Sequence, residues 1–539
     1  MTRPTVAQAQ AWRPDALHTL ADAWDAAARR LGELVDDAAA DAHRSRDYWT
    51  GAAADAARER ADRIAAETAA MARVLVIAGV AAHDGADQMA AARADVVAWV
   101  EKARGDGFAV ADDGSVTPAA DPAPLLVLLA GGDPAAAGEL LDARAVELSS
   151  RIADALDRLG AADADAARDI AEAFGVNGIQ RPAATVPAGA WPVQAADIVD
   201  AWPAMSQHRI ASQIAEMTPE QRDRLVAEFP RQTGNTDGVP WSMRVAANRL
   251  NIAEAVTAET GRDADSRRRI TLYRSLLGEI DDPAGNNGRI QRQIVAFDPR
   301  RASLVELHGD IAAARSVAVL VPGVNTTTDG SAANTTTARR FVSGSHGEVA
   351  VITYLGGRFP QVRDPSAVLL EAADPRYALD MAPRLVAFTE DVDRVVSDGV
   401  PVTVIGHSYG GSIVGTAEVL GLTSDRTLFL AAAGAGVGVD DTGDWHNRNP
   451  DVLRFSMTAP GDFIEAVQGI PGGPHGADPD QMRGVIRLGT GHYDDGRPVA
   501  GWDAHSGMLN RPSDSWRTIL AVITGDSPTL HRASAEAPR

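Results

Sequence analysis

The chain has 539 residues, of which 45% are hydrophobic and 23% charged, and this predicts more than one globular domain with a substantial buried core. A formal net charge of −22 argues against nucleic-acid binding, because an acidic surface repels phosphate backbones. The chain has no cysteine, which excludes disulfides, thiolate metal ligands and a cysteine nucleophile.

Residues 1–118 have the pattern of a helical hairpin. Apolar residues recur three and four positions apart from Leu17 to Ala38, the pattern breaks at Tyr48–Gly51, and helical periodicity resumes from Ala52 to about Ala103. Because a short turn containing glycine joins the two helices, we expect them to pack antiparallel. An Asp113-Gly114 turn between apolar residues predicts a small β-hairpin at the end of this region.

Composition divides the rest of the chain into further segments. Residues 119–180 are alanine-rich and predicted helical, residues 181–192 form a proline-rich linker, and residues 193–285 are a second helical segment that leads into the last domain. Residues 286–526 form the predicted catalytic domain, and residues 527–539 are predicted to be a disordered tail.

No cleavable signal peptide and no membrane-spanning segment are expected. The N-terminus is not followed by an apolar stretch of signal-peptide length, and the most apolar helical stretch, near Met71 to Ala82, is too short to cross a bilayer. We therefore expect a soluble protein that is cytoplasmic, or is exported without a cleavable signal.

After residue 286, short apolar and β-branched runs alternate with loops or helix-length connections. The last six runs are continuous rather than alternating, as in strands covered on both faces. This pattern predicts an α/β fold with a doubly wound sheet of about eight strands, preceded by an all-α N-terminal region. The predicted strands are Gln293–Phe297, Ser303–Leu307, Val317–Val321, Val349–Leu355, Val402–Ile405, Thr427–Leu430, Val452–Met457 and Val485–Leu488.

The strongest chemical motif is the G-x-S-x-G sequence Gly406–Gly410, which lies between the strand Val402–Ile405 and a helix-forming stretch. Glycines are needed there because the serine occupies a strained turn with little space on either side. Such a turn lifts the Ser408 hydroxyl above the sheet edge, at a helix N-terminus that favours developing negative charge. We predict Ser408 as a nucleophile, the alternative being a structural tight turn.

A serine nucleophile needs a histidine base and a carboxylate that orients the histidine. Enzymes with this strand–turn–helix motif place the acid and then the histidine after the serine in the chain. Asp462 follows the second strand after the motif, on a Pro-Gly turn, and is the predicted acid. The alternatives, each one connection too early, are Asp440, Asp441 and Asp444.

Two histidines follow the last predicted strand, His492 in a polar turn and His505 before a helix. We predict His505 as the base and keep His492 as the alternative. His475 is interpreted as a loop residue, and His407, inside the motif, as a brace for the turn.

The backbone N–H groups of Tyr409 and Val324 are the predicted donors to a substrate oxyanion. Val324 follows Pro322-Gly323 at the end of a strand, where a simple glycine turn is the alternative. Residues 356–376 are interpreted as a lid or a wall of the substrate site. No metal or nucleotide motif is found, so we expect no metal and no cofactor.

Residues 195–525 resemble a large, mostly actinobacterial α/β-hydrolase family catalogued as a domain of unknown function. The resemblance implies the α/β-hydrolase fold and the Ser408–Asp462–His505 assignment, and it favours His505 over His492. One departure is Tyr354–Gly357, where the family has a different arrangement of aromatic residues, so the resemblance does not imply a substrate. The matching motifs are Gly234–Pro240, Ala247–Arg249, Gly309-Asp310, Val317–Gly323, Gly406–Gly410, Ala459–Asp462 and Ala504–Ser506.

The N-terminal hairpin, with Trp49-Thr50-Gly51 in its turn, resembles WXG helical-hairpin proteins of type VII secretion. This resemblance implies a helical partner and a type VII export route, although the chain lacks the Tyr-x-x-x-Asp/Glu signal of such systems. The alternative is a structural hairpin that docks on the catalytic domain.

The predicted function is that of a serine hydrolase, esterase- or lipase-like, which cleaves a small-molecule or lipid ester through an acyl-enzyme. The alternatives are a non-catalytic binding or scaffold protein associated with secretion, and an exported effector.

Overall fold

A computed structural model describes residues 3–176, 195–286, 288–361, 373–468 and 473–537. The described residues divide into two compact units. Residues up to 188, together with 256–262, belong to a helical unit, and the remainder belongs to a unit that contains the large sheet. The predicted linker at 181–192 lies outside the described residues.

The helical unit contains long helices and a small β-hairpin. Its elements are α1 (Val6–Ala11), α2 (Pro14–Arg44), α3 (Ala52–Gly105), β1 (Phe108–Val110), β2 (Val116–Pro118), α4 (Pro124–Leu129) and α5 (Pro134–Val176). Helix α3 packs against both α2 and α5. Gly51, at a φ of 107°, provides the turn between α2 and α3, because this backbone conformation favours glycine.

The face of α2 that is buried differs from the predicted apolar stripe. Ala21, Asp25 and Ala28 are buried, whereas Leu20 is 43% exposed and Leu34 is 64% exposed. Small side chains on the inner face let the neighbouring helix approach closely, so the larger leucines are turned outward.

Among the described residues, one helix is long and apolar enough to cross a membrane by length and composition alone, and it is α3. This is a weak sign, because a core helix of a soluble protein passes the same test. In the structure, 39% of its most apolar window is buried. The expectation of no membrane-spanning segment stays a prediction.

The second unit begins with helices, continues into the sheet and ends with further helices. Its helices are α6 (Ala195–Ala201), α7 (Gln207–Ala215), α8 (Pro219–Glu228), α9 (Pro230–Asn235), α10 (Trp241–Ala258), α11 (Ala264–Leu277), α12 (Ala332–Gly344), α13 (Arg376–Val395), α14 (Tyr409–Val419), α15 (Ala504–Asn510), α16 (Asp514–Thr524) and α17 (Ser527–Ala535). Its strands are β3 (Glu279–Asp281), β4 (Arg289–Gln291), β5 (Gln293–Asp298), β6 (Ser303–His308), β7 (Ser316–Val321), β8 (Val349–Leu355), β9 (Val402–His407), β10 (Arg426–Leu430), β11 (Leu453–Met457) and β12 (Val485–Arg487).

The sheet has eight strands in the order β12-β11-β10-β9-β7-β8-β6-β5. Strand β6 is antiparallel to both of its neighbours, and the other pairings are parallel. Helices α12 and α16 share one buried apolar cluster with the sheet, whereas α13 and α14 pack against each other. This is the doubly wound α/β-hydrolase sheet, and the predicted fold class is confirmed. Strands β3 and β4 form a separate hairpin that the sequence reading did not predict.

A buried carboxylate in α13 fixes the segment that leads into the sheet. Asp391 accepts hydrogen bonds from Gly238 N (2.9 Å), Trp241 Nε1 (2.8 Å) and Arg244 Nη1 (2.9 Å). Arg244 also donates from Nε to Val295 O, at 2.9 Å, in the edge strand β5. Because Arg244 is buried, its positive charge is stabilised by these hydrogen-bond partners rather than by water.

The C-terminal residues differ from the predicted disordered tail. Helix α17 occupies most of this segment, Leu530 packs against the main apolar cluster, and Ala533 O accepts a hydrogen bond of 2.9 Å from Gly489 N.

Candidate active site

The Gly406–Gly410 motif forms a sharp bend between β9 and α14. Ser408 has a φ of 58° and a ψ of −122°, a backbone conformation that is rare for a residue with a side chain. Its N–H donates to Leu430 O (3.0 Å), and its carbonyl accepts from Gly411 N (3.0 Å) and Ala433 N (2.9 Å). The strained bend is therefore held by main-chain hydrogen bonds on both sides of the serine.

The two glycines of the motif lie where no side chain fits. A Cβ at Gly406 would lie 2.6 Å from the carbonyl oxygen of Gly410, and a Cβ at Gly410 would lie 2.2 Å from that of Val321. Both contacts are with backbone, which cannot move aside as a flexible side chain can. The bend therefore requires glycine at both positions.

Asp462 and His505 form a buried pair at the same edge of the sheet. Asp462 follows β11, and its Oδ1 accepts a hydrogen bond of 3.1 Å from Ile464 N. Nδ1 of His505, which lies in α15, is 3.0 Å from each of the two carboxylate oxygens of Asp462. The Asp462 side chain is 0% exposed, and that of His505 is 11% exposed. The carboxylate favours the tautomer of His505 with its proton on Nδ1, which leaves the lone pair on Nε2.

His407 links this pair to the nucleophile bend. Its Nε2 donates a hydrogen bond of 2.8 Å to the carbonyl of His505, and the two ring centroids are 5.0 Å apart. Burial lowers the pKa of His407 to about 4, so its imidazole is neutral at pH 7. Within the described ranges the Ser408 hydroxyl makes no hydrogen bond, so it is available to turn toward His505.

The alternative acids and bases lie elsewhere. His492 is exposed in a β-bridge with Pro498, and its backbone N–H bonds to the carboxylate of Asp514. His475 is buried, and its Nδ1 is 2.8 Å from Ser412 Oγ. The remaining candidate acids form a small turn, in which Asp444 accepts from the backbone N–H groups of Asp440 and Asp441.

The loop after β7 lies against the nucleophile. A Cβ at Gly323 would be 2.6 Å from Ser408 Cβ and 2.9 Å from its Oγ. In the part of the chain that is described, neither the Val324 nor the Tyr409 amide donates a hydrogen bond, so both can bind a substrate oxygen. The chain turns at Asn325, which has a φ of 60°, and the backbone N–H of Asn325 donates a hydrogen bond of 2.9 Å to Pro360 O.

Residues 298–470 match a family model described as Alpha/beta hydrolase. This match agrees with the α/β-hydrolase fold of the unit that contains the sheet. The matched segment contains Ser408 and Asp462, whereas His505 follows it.

Two uncharacterized proteins of Mycobacterium tuberculosis, MT2140 of strain CDC 1551 / Oshkosh and Rv2079 of strain ATCC 25618 / H37Rv, are each 30% identical to this chain over 253 aligned residues. The match covers 38% of this chain and 36% of each relative. The chain thus spans about a third of the length of these curated relatives.

Two solved structures of an esterase from the archaeon Pyrobaculum calidifontis are also similar. The monoclinic form has a TM-score of 0.23 and 13% identity, with 51% of this chain and 92% of that chain covered. The second, described as a hyperthermophilic esterase, has a TM-score of 0.24 and 12% identity, with 59% and 99% covered. At these TM-scores the likeness carries no argument about substrate or mechanism.

In the helical unit, one group of described residues has potential metal-ligand atoms close together. Ligand atoms of Asp22, Asp25 and His83 lie within 4.8 Å of one another in the helical unit. The sequence reading missed this group, because its members come from α2 and α3 and no short motif joins them. A metal motif in a sequence is recognised by local spacing, whereas this grouping depends on how the two helices pair.

Proposed function

We propose that the hydrolase domain cleaves acyl esters through Ser408, His505 and Asp462, with a covalent acyl-enzyme. The observation that supports this proposal is the Asp462–His505 pair, 3.0 Å between its nearest atoms, which the hydrogen bond from His407 joins to the strained bend at Ser408. The family match of residues 298–470 supports a hydrolase, and the site geometry supports the finer assignment.

In the first step, Ser408 Oγ attacks the carbonyl carbon of the ester, and its proton passes to His505 Nε2. The Asp462 carboxylate accepts a hydrogen bond from Nδ1–H of His505 and stabilises the imidazolium that forms. The negative oxygen of the tetrahedral intermediate is bound by the N–H groups of Tyr409 and Val324. The C–O bond to the alcohol then breaks, and the alcohol leaves with the proton from Nε2.

In the second step, water attacks the acyl-enzyme while His505 Nε2 accepts one of its protons. The new tetrahedral intermediate expels Ser408 Oγ, which recovers the proton from Nε2, and a carboxylic acid is released. His407 cannot replace His505 as the base, because its Nε2 carries a proton that is donated to a backbone carbonyl.

A fluorophosphonate probe tests the nucleophile directly, because it forms a covalent bond only with an activated serine. We expect one label on the wild-type chain, none on Ser408→Ala, and full labelling of Ser397→Ala, an exposed serine outside the site. Equal labelling of Ser408→Ala and wild type would defeat the assignment. Turnover of matched p-nitrophenyl ester and anilide substrates then tests the preference for esters over amides.

A binding role for the helical unit is a second proposal. Tyr48 and Trp49, at the turn between α2 and α3, are 79% and 43% exposed, which leaves two aromatic side chains for a helical partner of the WXG type. Type VII export, as such a partner would allow, predicts the chain in the culture medium of cells that produce it. Trp49→Ala should reduce that secreted fraction, and an unchanged fraction counts against the proposal.

A further inference from the structure

An open groove of about 620 Å³ lies in the hydrolase unit and is unusually basic for a chain with a net charge of −22. We call it the arginine groove. Its lining residues are Arg301, Arg358, Arg376, Tyr377, Asp380 and Arg384.

The arginine groove lies at the sheet edge that carries the nucleophile. Strand β6 is antiparallel to β8, with Leu304 opposite Leu355, so the β5–β6 turn that holds Arg301 lies at the carboxyl end of β8. Arg358 follows β8 directly, and α13 begins at Arg376. Strands β7, β8 and β9 are parallel, so their carboxyl ends, including the bend at Ser408, share this edge.

Direct contacts join the groove to the candidate active site. Tyr377 packs edge-on against Tyr409, the residue after the nucleophile, with 6.3 Å between ring centroids. The loop that carries Arg358 also lies against the loop that carries Val324, since Pro360 O accepts the hydrogen bond from Asn325 N at 2.9 Å. A substrate bound at Ser408 can therefore extend into the groove.

The charges of the groove are only partly balanced. Arg384 pairs with Asp380 and donates to Gly356 O (2.9 Å), so it also supports the wall. Arg376 pairs with Asp374 at 2.7 Å and is 73% exposed, and Arg301 lies 3.6 Å from Asp298 and is 69% exposed.

Arg358 is exposed and, among the residues that the structure describes, has no carboxylate partner. It therefore contributes a positive charge that no described carboxylate neutralises. The exposed pairs of Arg376 and Arg301 are weak and can exchange a carboxylate for a ligand at low cost. Guanidinium groups suit carboxylate, phosphate and sulfate oxygens, because they offer several N–H donors in a fixed plane.

We propose that the arginine groove is a substrate subsite for an anionic group, so that the preferred esters carry a carboxylate, phosphate or sulfate away from the reacting carbonyl. This inference rests on the proposed serine hydrolase function and specifies its substrate class. Arg358 and Arg376 are the specificity-determining residues, and Arg384 holds the groove wall.

The test compares two chromogenic esters of equal acyl length, the mono-p-nitrophenyl ester of glutaric acid, which is anionic, and p-nitrophenyl valerate, which is neutral. We expect the wild type to have the higher kcat/KM for the glutarate ester. Arg358→Gln and Arg376→Gln should each reduce the ratio of the glutarate kcat/KM to the valerate kcat/KM by about tenfold, as for loss of one charge-assisted hydrogen bond. Arg315→Gln, 80% exposed and outside the groove, is the control and should change neither.

Binding of inorganic phosphate and of glutarate, measured by calorimetry with the Ser408→Ala chain, gives a readout that does not need catalysis. We expect binding that is lost in Ser408→Ala/Arg358→Gln, and the tighter of the two ligands indicates which anion class the groove takes. Equal kcat/KM for both esters, together with no binding of either anion, would overturn the inference while leaving the serine hydrolase intact. Absence of fluorophosphonate labelling would instead overturn the proposed catalytic function.

Discussion

Replacing Asp462 by asparagine removes a charge from the candidate active site while keeping its shape. The Ile464 N–H donates to Oδ1 at 3.1 Å, so we expect the amide oxygen of the asparagine to occupy that position. The amide NH₂ then takes the Oδ2 position, 3.0 Å from Nδ1 of His505. An NH₂ group there favours the tautomer with the proton on Nε2, which cannot accept the proton of Ser408.

The expected loss is large because both the tautomer and the charge change. A comparable carboxylate-to-amide replacement in a serine triad lowers kcat by about 10⁴, which corresponds to roughly 5 kcal/mol of transition-state stabilisation. The Asp462 side chain is fully buried, so solvent does not reduce the effect by screening. Turnover of p-nitrophenyl valerate measures the loss, and a melting curve of the same sample shows that the fold is retained.

Asp444→Asn is the matched control, since Asp444 is another candidate acid and its carboxylate accepts hydrogen bonds from backbone N–H groups in a small turn away from the site. It should keep wild-type turnover. If Asp462→Asn retained wild-type turnover, or if Asp444→Asn lost it instead, the assignment of Asp462 as the orienting acid would be refuted.

Further variants test the structural claims. Gly410→Ala places a Cβ 2.2 Å from a backbone carbonyl oxygen and should destabilise the domain by about 1–3 kcal/mol or more, whereas Gly138→Ala, with open space around it, should not lower the melting temperature. Asp391→Ala should destabilise by about 3 kcal/mol in denaturant unfolding, because the Arg244 guanidinium, 1% exposed, loses one of its two carboxylates; an unchanged midpoint contradicts this. Lowering the pH from 7 to 4 should reduce the free energy of unfolding of the wild type by at most about 3 kcal/mol more than that of His407→Gln. The reason is that His407 has a pKa of 6.5 in the unfolded chain and a pKa of about 4 in the folded chain, so the unfolded chain gains a proton first. An equal loss of unfolding free energy in the wild type and in His407→Gln would show that His407 does not cause the pH dependence.

The sheet could be predicted from sequence because its strands are covered on both faces. Val317–Val321 is an uninterrupted apolar run and Val349–Leu355 is interrupted only by Thr353, and such runs are typical of strands that are buried on both faces. The bend at Gly406–Gly410 could also be predicted, since its motif is contiguous in the sequence, although the close contact at Gly410 is with Val321 in another strand. The structure brings Asp462 and His505 together, whereas their catalytic roles stay predictions.

Features that depend on how helices and loops pack against one another could not be predicted from local sequence patterns. The inner face of α2 is made by Ala21 and Ala28 rather than by Leu20 and Leu34, because close helix approach outweighed the burial of larger side chains. Helix α17 has few apolar residues and is stabilised by contacts with the sheet unit rather than by its own sequence. The arginine groove likewise combines residues from two separate connections, the β5–β6 turn and the segment between β8 and β9, which no spacing along the chain reveals.

The strained backbone at Ser408 is tolerated because the bend lies at the centre of the sheet. A backbone conformation of this kind costs about 1–3 kcal/mol, and it persists only where the surroundings hold it. Here the serine N–H is bound by Leu430 at the end of β10, and its carbonyl is bound by Ala433 just beyond that strand. Relaxing the bend would break these hydrogen bonds beside two of the inner strands, at a cost of about 1 kcal/mol each. The sheet therefore holds the Ser408 backbone in this conformation without any substrate.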